Sequence, residues 1–291
     1  MHNSTPKMSA LLVTYNQEHY VRAALDGVLM QKTDFDVEII IADDYSTDAT
    51  PAIIADYANK HPNIRVLPNH EGHIGITRNF QRGFAASRGT YIAVLEGDDY
   101  WINPNKLKIV SGFLDQHQQC SFCFHRMIKH DETSDKATVY PIQTTPSHFF
   151  TASDLAKANS VGGFSTCTYR REVINSLNPE LWKMKVREWP FNIVVATHGP
   201  AGYIPEILSV YRAHPGGIWS QKTAAEGTVA LLELIESYNK FLDFKFEAEF
   251  REFKQKLSSS TIKSARSWLA AKVPTRLKLE IMKFLKIDNT G

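Results

Sequence analysis

The sequence is poor in cysteine and has no long hydrophobic run, and each shortage excludes a class of protein. Cys120, Cys123 and Cys167 are the only cysteines in 291 residues. Three thiols cannot form a disulfide framework, so a reducing compartment is expected. No stretch approaches the roughly 18 consecutive apolar residues of a membrane span, and the polar lead Met1–Lys7 is not followed by the apolar core of a signal peptide. The expected location is therefore the cytoplasm, including the inner face of the cell membrane. A Gly-x-x-x-x-Gly-Lys phosphate loop is also missing, and Gly72-His73-Ile74-Gly75 is too short for a dinucleotide fingerprint. These gaps disfavour nucleoside-triphosphate hydrolysis and nicotinamide chemistry. Cys120-Ser121-Phe122-Cys123 with His125 has no second pair at zinc spacing, and its strand-like pattern points the two thiols to opposite faces.

What is present is an ordinary folded composition, 43% hydrophobic and 22% charged, with sixteen Phe, eleven Tyr and five Trp. The length accommodates one large domain and an appendage. Net charge is only +2, but it is unevenly spread. Residues 251–291 hold ten Lys or Arg against three Asp or Glu, which gives the tail +7 and leaves −5 for the preceding chain.

Short apolar runs alternate with helix-spaced segments along the first part of the chain. Strands are expected at Ala10–Val13, Val37–Ile41, Ile64–Leu67 and Tyr91–Leu95. Helices are expected at Val21–Met30, Asp48–Tyr57, Ile74–Ala86 and Lys106–Leu114. Such alternation implies a mainly parallel sheet flanked by helices, with ligands at the carboxyl ends of the strands. From Ser121 to Tyr140 the pattern becomes β-rich around a polar turn, which points to a mixed or antiparallel half. Further strands are expected at Ser165–Tyr169, Gly202–Ile204 and Ile207–Tyr211, with a helix at Val186–Thr197. Beyond Ser220 the pattern is helical. The expected organisation is an α/β domain over residues 1–220 and a basic helical region over residues 221–291.

Three clusters follow three different expected strands. Glu96-Gly97-Asp98-Asp99-Tyr100-Trp101 places three carboxylates within four residues, and Mg²⁺ or Mn²⁺ needs hard oxygen ligands of this kind. Taken alone, Gly-Asp-Asp serves equally well as a solvated turn. Asp43-Asp44-Tyr45-Ser46-Thr47-Asp48 reaches the same sheet edge. Asp48 or Thr47 there is expected to cap the next helix, whereas capping does not account for Asp43 and Asp44. Val13-Thr14-Tyr15-Asn16 supplies an aromatic ring and an amide suited to a nucleobase.

Taken in order, Thr14-Tyr15-Asn16, Asp43-Asp44-Tyr45-Ser46-Thr47-Asp48-Ala49-Thr50 and Glu96-Gly97-Asp98-Asp99-Tyr100-Trp101 resemble glycosyltransferase family two over about Met8–Ser220. The resemblance implies a GT-A fold and an inverting transferase that uses a nucleotide-diphosphate sugar, of the UDP or dTDP type, with Mn²⁺ or Mg²⁺. By the same resemblance Val13, Tyr15 and Asp44 hold the base, Arg78 lies near the nucleotide, and Asp98 and Asp99 engage ribose and metal. Glu96 stands where the family more often has Asp. Arg187-Glu188-Trp189-Pro190 resembles the motif that carries the catalytic base, again with Glu for Asp. As a bare pattern, Glu188 also fits a first-turn acid placed by the helix dipole. Tyr211-Arg212-Ala213-His214 resembles a closing segment whose His ligates the metal. Trp101, Trp189 and Trp219 lie near these motifs as candidate sugar-stacking rings, core packing being the alternative.

The Gln-x-x-Arg-Trp motif and membrane spans of the family's polymerising members are missing, which favours transfer of a single sugar onto a glycan or lipid-linked acceptor. Assembly of a bacterial surface polysaccharide or glycoconjugate is the setting the resemblance suggests; nucleic acid is not an expected partner. Two rivals are weighed: a sugar-phosphate nucleotidyltransferase, which would need a glycine-rich loop after the first strand, and a sugar-nucleotide binding protein that has lost catalysis. The basic tail, with Leu277, Ile281, Phe284 and Leu285 at helical spacing, suits an anionic membrane surface as well as packing on the body. Each basic residue near such a surface contributes about 1 kcal/mol. Full-length protein is therefore expected to sediment with anionic phospholipid vesicles and a truncation after Phe250 to stay in the supernatant. Equal sedimentation of the two would place the tail against the body.

Overall fold

The computed structural model describes residues 5–68, 72–141, 148–217 and 222–257. The chain divides into two compact units, the first comprising Met1–Leu155 and Asn159–Ala213, the second Ala156–Ala158 and His214–Gly291. The division falls where the last strand ends, a few residues before the position at Gln221 expected from the sequence.

The first unit is built on one ten-stranded sheet. It opens with the expected alternation: β1 (Met8–Thr14), α1 (Val21–Leu29), β2 (Val37–Asp43), α2 (Thr50–Lys60), β3 (Ile64–Val66), α3 (Ile76–Ala86) and β4 (Tyr91–Glu96). Next come β5 (Tyr100–Trp101), α4 (Lys106–Gln116), the hairpin of β6 (Phe122–Asp131) and β7 (Lys136–Tyr140), β8 (Phe149–Phe150) and α5 (Ala152–Lys157). A short 3-10 turn at Phe164–Thr166 leads into β9 (Cys167–Arg170), followed by α6 (Arg171–Ser176), α7 (Glu188–Ala196) and β10 (Ala201–Ala213). The strand order is β3-β2-β1-β4-β9-β6-β10-β5, with β7 beside β6 and β8 beside β10. β1 is parallel to β2 and β4, while β9 runs antiparallel to both β4 and β6. β10 is parallel to β6 and antiparallel to β5. The sheet is thus parallel on one side and mixed on the other, as the change of pattern after Ser121 implied.

Both faces are covered. Met8, Ala10 and Leu12 of β1, Ile39 and Ile41 of β2, and Ala93 and Leu95 of β4 share one core with residues of α1, α2 and α4. On the opposite face an aromatic cluster joins Phe80 and Phe84 of α3 to Phe164, Tyr169 and Phe191. The two short strands expected around residues 202–211 form one strand, β10, with irregular register between Ile204 and Ser209. Pro205 lies in that stretch and has no N–H to give to a ladder. In the second unit, α8 (Ala224–Phe241) begins with a capping box in which Thr223 and Glu226 bond each other's backbone. Among the described residues no helix is long and apolar enough to cross a membrane. The remainder of the basic tail, residues 258–291, lies outside the described residues.

One polar cluster anchors the end of the sheet away from the strands' carboxyl termini. Glu38, buried on β2, accepts from Ser9 Oγ at 2.6 Å, from the Arg88 backbone N–H at 2.6 Å and from Arg88 Nε at 2.9 Å. Burial pushes this carboxyl up, but the three donors hold it below the ordinary glutamate value of 4.5. A depressed carboxylate stabilises the fold above the unfolded pKa, and that contribution is lost as pH falls through the folded value. Glu38→Gln is therefore expected to cost about 1–3 kcal/mol near neutral pH and to match wild type more closely in melting scans well below pH 4.5. A constant difference across that range would contradict the assignment.

Candidate active site

Parallel pairing brings the three clusters together. Thr14 pairs with Asp43 and Val13 with Glu96, so β1, β2 and β4 end side by side. β10 also ends at this edge, and β5 begins there.

The loops after β1 and β2 are tied to each other. Asp44 N–H donates to Thr14 O at 2.9 Å, Asn16 N–H to Ser46 Oγ at 2.8 Å and Thr47 N–H to Asn16 Oδ1 at 2.8 Å. Asn16 and Tyr45 adopt left-handed backbone, with φ of 51° and 62°. Neither Asp43 nor Asp44 caps a helix, as the sequence reading held, but both have partners in the fold. Asp43 accepts from the Ser46 backbone and hydroxyl. Asp44, 3% exposed, accepts from Ile74 N–H and Gly75 N–H, both at 2.9 Å. Those bonds and the φ of 87° at Gly75 explain why α3 starts at Ile76 and not at Ile74. The residue that caps α2 is Ala49, which has no side chain for the purpose; Asp48, one place earlier and not the expected cap itself, accepts from Thr50 N–H at 2.9 Å and from Glu18 N–H at 3.0 Å.

Val13 is buried near the end of β1, and Tyr15 is 41% exposed just beyond it. Its ring lies 4.1 Å from that of His73, whose Nδ1 is 3.0 Å from the Asp44 carboxylate. His73 was missed in the sequence because the glycines around it were weighed only as a dinucleotide motif. Arg78 is exposed on the first turn of α3. Arg82, also unforeseen, donates to Asn79 and Pro68 and to the carbonyl of Asp43, fastening α3 to the end of β2.

The acidic loop is held more tightly than a solvated turn. Gly97 N–H donates to Val13 O at 2.9 Å, and a Cβ on Gly97 would meet Thr14 Oγ1 at 2.6 Å. Only glycine fits this approach to the neighbouring strand. Asp99, 1% exposed, accepts from Ser165 Oγ at 2.5 Å and from Arg212 N–H at 3.1 Å. Ser165 Oγ in turn accepts from Glu96 N–H at 3.1 Å. Arg212 donates from its guanidinium to Asp98 O at 3.1 Å and lies over the Tyr100 ring at 4.4 Å. Asp98 and Glu96 are half-buried.

Glu188 opens α7 and is half-buried facing the same cluster. Burial raises the Glu96 carboxyl well above the ordinary value, and the charges of Asp98, Asp99 and Glu188 push it further. Burial and then Asp98 raise Asp99 despite its two donors. Burial likewise raises Glu188, against its own backbone N–H and Arg187. The Tyr211 hydroxyl is pushed up by burial and then by the charges of Asp99, Glu96, Asp98 and Glu188. His214, the next residue after β10, begins the second unit.

The tryptophans depart from the sugar-stacking expectation. Trp101 is 1% exposed, with its indole N–H on Ser165 O and the Lys106 ammonium over its ring at 3.9 Å. Trp189 is 3% exposed, its N–H on Leu155 O at 2.7 Å. Both are core residues with no free ring face for a sugar. Trp219 lies outside the described residues.

Comparisons with known proteins agree with this geometry. Residues 9–177 match the family model described as glycosyl transferase family 2. An uncharacterised protein of Mycobacterium tuberculosis is 36% identical over 240 residues, 78% of this chain and 67% of that protein. The crystal structure of S. aureus TarS 1–349 in complex with UDP-GlcNAc aligns with a TM-score of 0.66 at 18% identity, over 93% of this chain and 77% of that one. Mannosyltransferase PcManGT from Pyrobaculum calidifontis, in complex with GDP-Man and Mn²⁺, aligns with a TM-score of 0.57 at 13% identity, over 99% and 82% of the two chains. At these identities the structural likeness establishes the GT-A fold.

The two loop aspartates should respond differently to amide substitution. In Asp99→Asn one buried oxygen becomes a donor beside Ser165 Oγ or the Arg212 N–H, and leaving such a group unsatisfied costs about 1–3 kcal/mol. Asp98→Asn places its amide in a half-exposed position and should leave the melting temperature nearly unchanged. Thermal melts of both variants check this. An equal loss of stability in the two would contradict the distinct placements described above.

Proposed function

The chain belongs to glycosyl transferase family 2, and on that premise we propose that this glycosyltransferase moves one sugar, with inversion, from a nucleotide-diphosphate donor to an acceptor hydroxyl. The observation that carries the reading is that Glu96, Asp98, Asp99 and Glu188 gather at the end of the sheet where the loops of Tyr15 and Asp44 also lie. In this reading Tyr15 offers a ring face to a base and Asp44 an acceptor to a base N–H, while Val13 and Arg78 take part in holding the nucleotide. The glycan or lipid-linked acceptor, its place in surface glycoconjugate assembly and contact with the inner membrane face belong to the same proposal.

Among the described residues no group of three or more His, Cys, Asp or Glu is arranged to enclose a metal ion. The donor chemistry nonetheless suits a hard divalent cation. The cluster supplies only carboxylate oxygens, and their mutual repulsion is the kind that a +2 charge offsets. We assign the ligand role first to half-exposed Asp98. Asp99, whose oxygens each already hold one hydrogen bond, shapes the loop and has one lone-pair direction left on each. His214 remains a proposed ligand from the motif alone. When bound, Mn²⁺ or Mg²⁺ supplies positive charge to the leaving diphosphate.

The chain's own groups account for the remaining steps. The acceptor hydroxyl oxygen bonds to the anomeric carbon as the bond from that carbon to the diphosphate oxygen breaks, and the hydroxyl proton passes to a Glu188 carboxylate oxygen. Burial of Glu188 raises its basicity, which suits a general base. Glu188→Gln keeps the shape and loses the proton acceptor, so turnover should fall about 10²–10⁴-fold while nucleotide affinity and melting temperature stay close to wild type. Near-normal turnover in this variant would mean that Glu188 serves only the start of α7.

A further inference from the structure

The nucleobase pocket described above has a third member that the family motifs do not supply. His73 engages both groups assigned to the base. Its imidazole lies against the Tyr15 ring, with centroids 4.1 Å apart and planes 31° from parallel. Its Nδ1 is 3.0 Å from Asp44 Oδ2 and 3.3 Å from Asp44 O. At that ring separation no aromatic plane fits between Tyr15 and His73, because stacked rings need about 3.5–4 Å on each side. The Asp44 carboxylate has about four acceptor directions; two are taken by Ile74 N–H and Gly75 N–H, and the His73 ring stands beside Oδ2 while its Nδ1 bonds the Asp44 carbonyl.

Resting on the donor reading, we propose that His73 is a plug of the base site: its ring lies on Tyr15 and its Nδ1 sits on the Asp44 carbonyl beside the carboxylate, and the nucleobase must displace it. The anchoring supports motion of the side chain and not of the backbone. Ile74 and Gly75 are pinned to Asp44 by their N–H groups, whereas the His73 side chain is 48% exposed and is held through its ring alone. Asp44 is almost fully buried while His73 is in place, and rotation of the imidazole would uncover Oδ2, beside which it now stands. A base that enters recovers both contacts, ring against Tyr15 and N–H against Asp44. One that lacks an N–H donor on its edge recovers only the first, and the cost of moving His73 is the same for either.

A pocket whose competent state is populated for only a fraction of the time binds with its affinity reduced by that fraction. A plug closed nine-tenths of the time thus weakens binding about tenfold. The test titrates UDP and GDP, each with Mn²⁺, into wild type and His73→Ala by calorimetry. It also follows the His73 ring resonances of the wild type by NMR. The variant is expected to bind the preferred nucleotide about tenfold more tightly, and the His73 signals of the wild type to move as the ring leaves Tyr15. Equal or weaker binding by the variant, with the wild type still binding, would overturn the plug and leave the donor reading standing. Failure of both proteins to bind either nucleotide would overturn the donor reading and the plug with it. Because His73 is half-exposed and lies outside the core, the variant is expected to melt with the wild type, so altered affinity reports on the pocket.

Discussion

Negative charge concentrated at one end of the sheet is the constraint around which the first unit is organised. Burial and then the charges of Asp98, Asp99 and Glu188 raise the cost of ionising Glu96, and burial and then Asp98 raise that of Asp99. Isolated carboxylates taken out of water would shed their charge by binding protons. Here neighbouring groups partly offset the repulsion. Asp99 is held by Ser165 and by the Arg212 backbone, and the Arg212 guanidinium lies against the loop on the Asp98 carbonyl. The cation of the proposed reaction would offset the repulsion that remains.

The fold provides the setting with local means. Parallel strands put all three loops on one edge because a crossover helix returns the chain to the same end of the sheet each time. Gly97 lets the acidic loop lie against β1 where any side chain would strike Thr14. Gly27 serves the same need on α1, since a Cβ there would meet the backbone of Trp101 at 2.9 Å. Trp101 is consequently a wedge between helix and sheet, and its burial under Lys106 fixes where the acidic loop returns to β5. The loops after β1 and β2 are braced through Asn16, Ser46 and Thr47, which keeps Tyr15 and Asp44 on one side of the pocket.

Much of this arrangement was legible in the sequence because it depends on short-range pattern. Strand runs, helix spacing and acidic clusters directly after strands fixed the sheet edge and the residues that meet there. Contacts made between distant segments were not legible. The bond from Ser165 to Asp99 joins residues 66 apart, and that from Arg212 to Asp99 joins residues 113 apart. His73 meets Asp44 from a loop whose glycines gave no recognisable motif. Asp44 was read as holding the base alone because the donors that satisfy it lie thirty residues on, before the start of α3. Trp101 and Trp189 were placed near the site by proximity in sequence, which does not tell which face of the backbone a ring occupies.

In the proposed function the acidic edge and the residues around Tyr15 and Asp44 act together on a nucleotide-diphosphate sugar. The most direct measurement is release of nucleoside diphosphate from a panel of UDP-, dTDP- and GDP-sugars, with Mn²⁺ or Mg²⁺ and after chelation. The account predicts consumption of one donor class that depends on the cation and is lost with the chelator. Absence of release from every donor with either cation would contradict it.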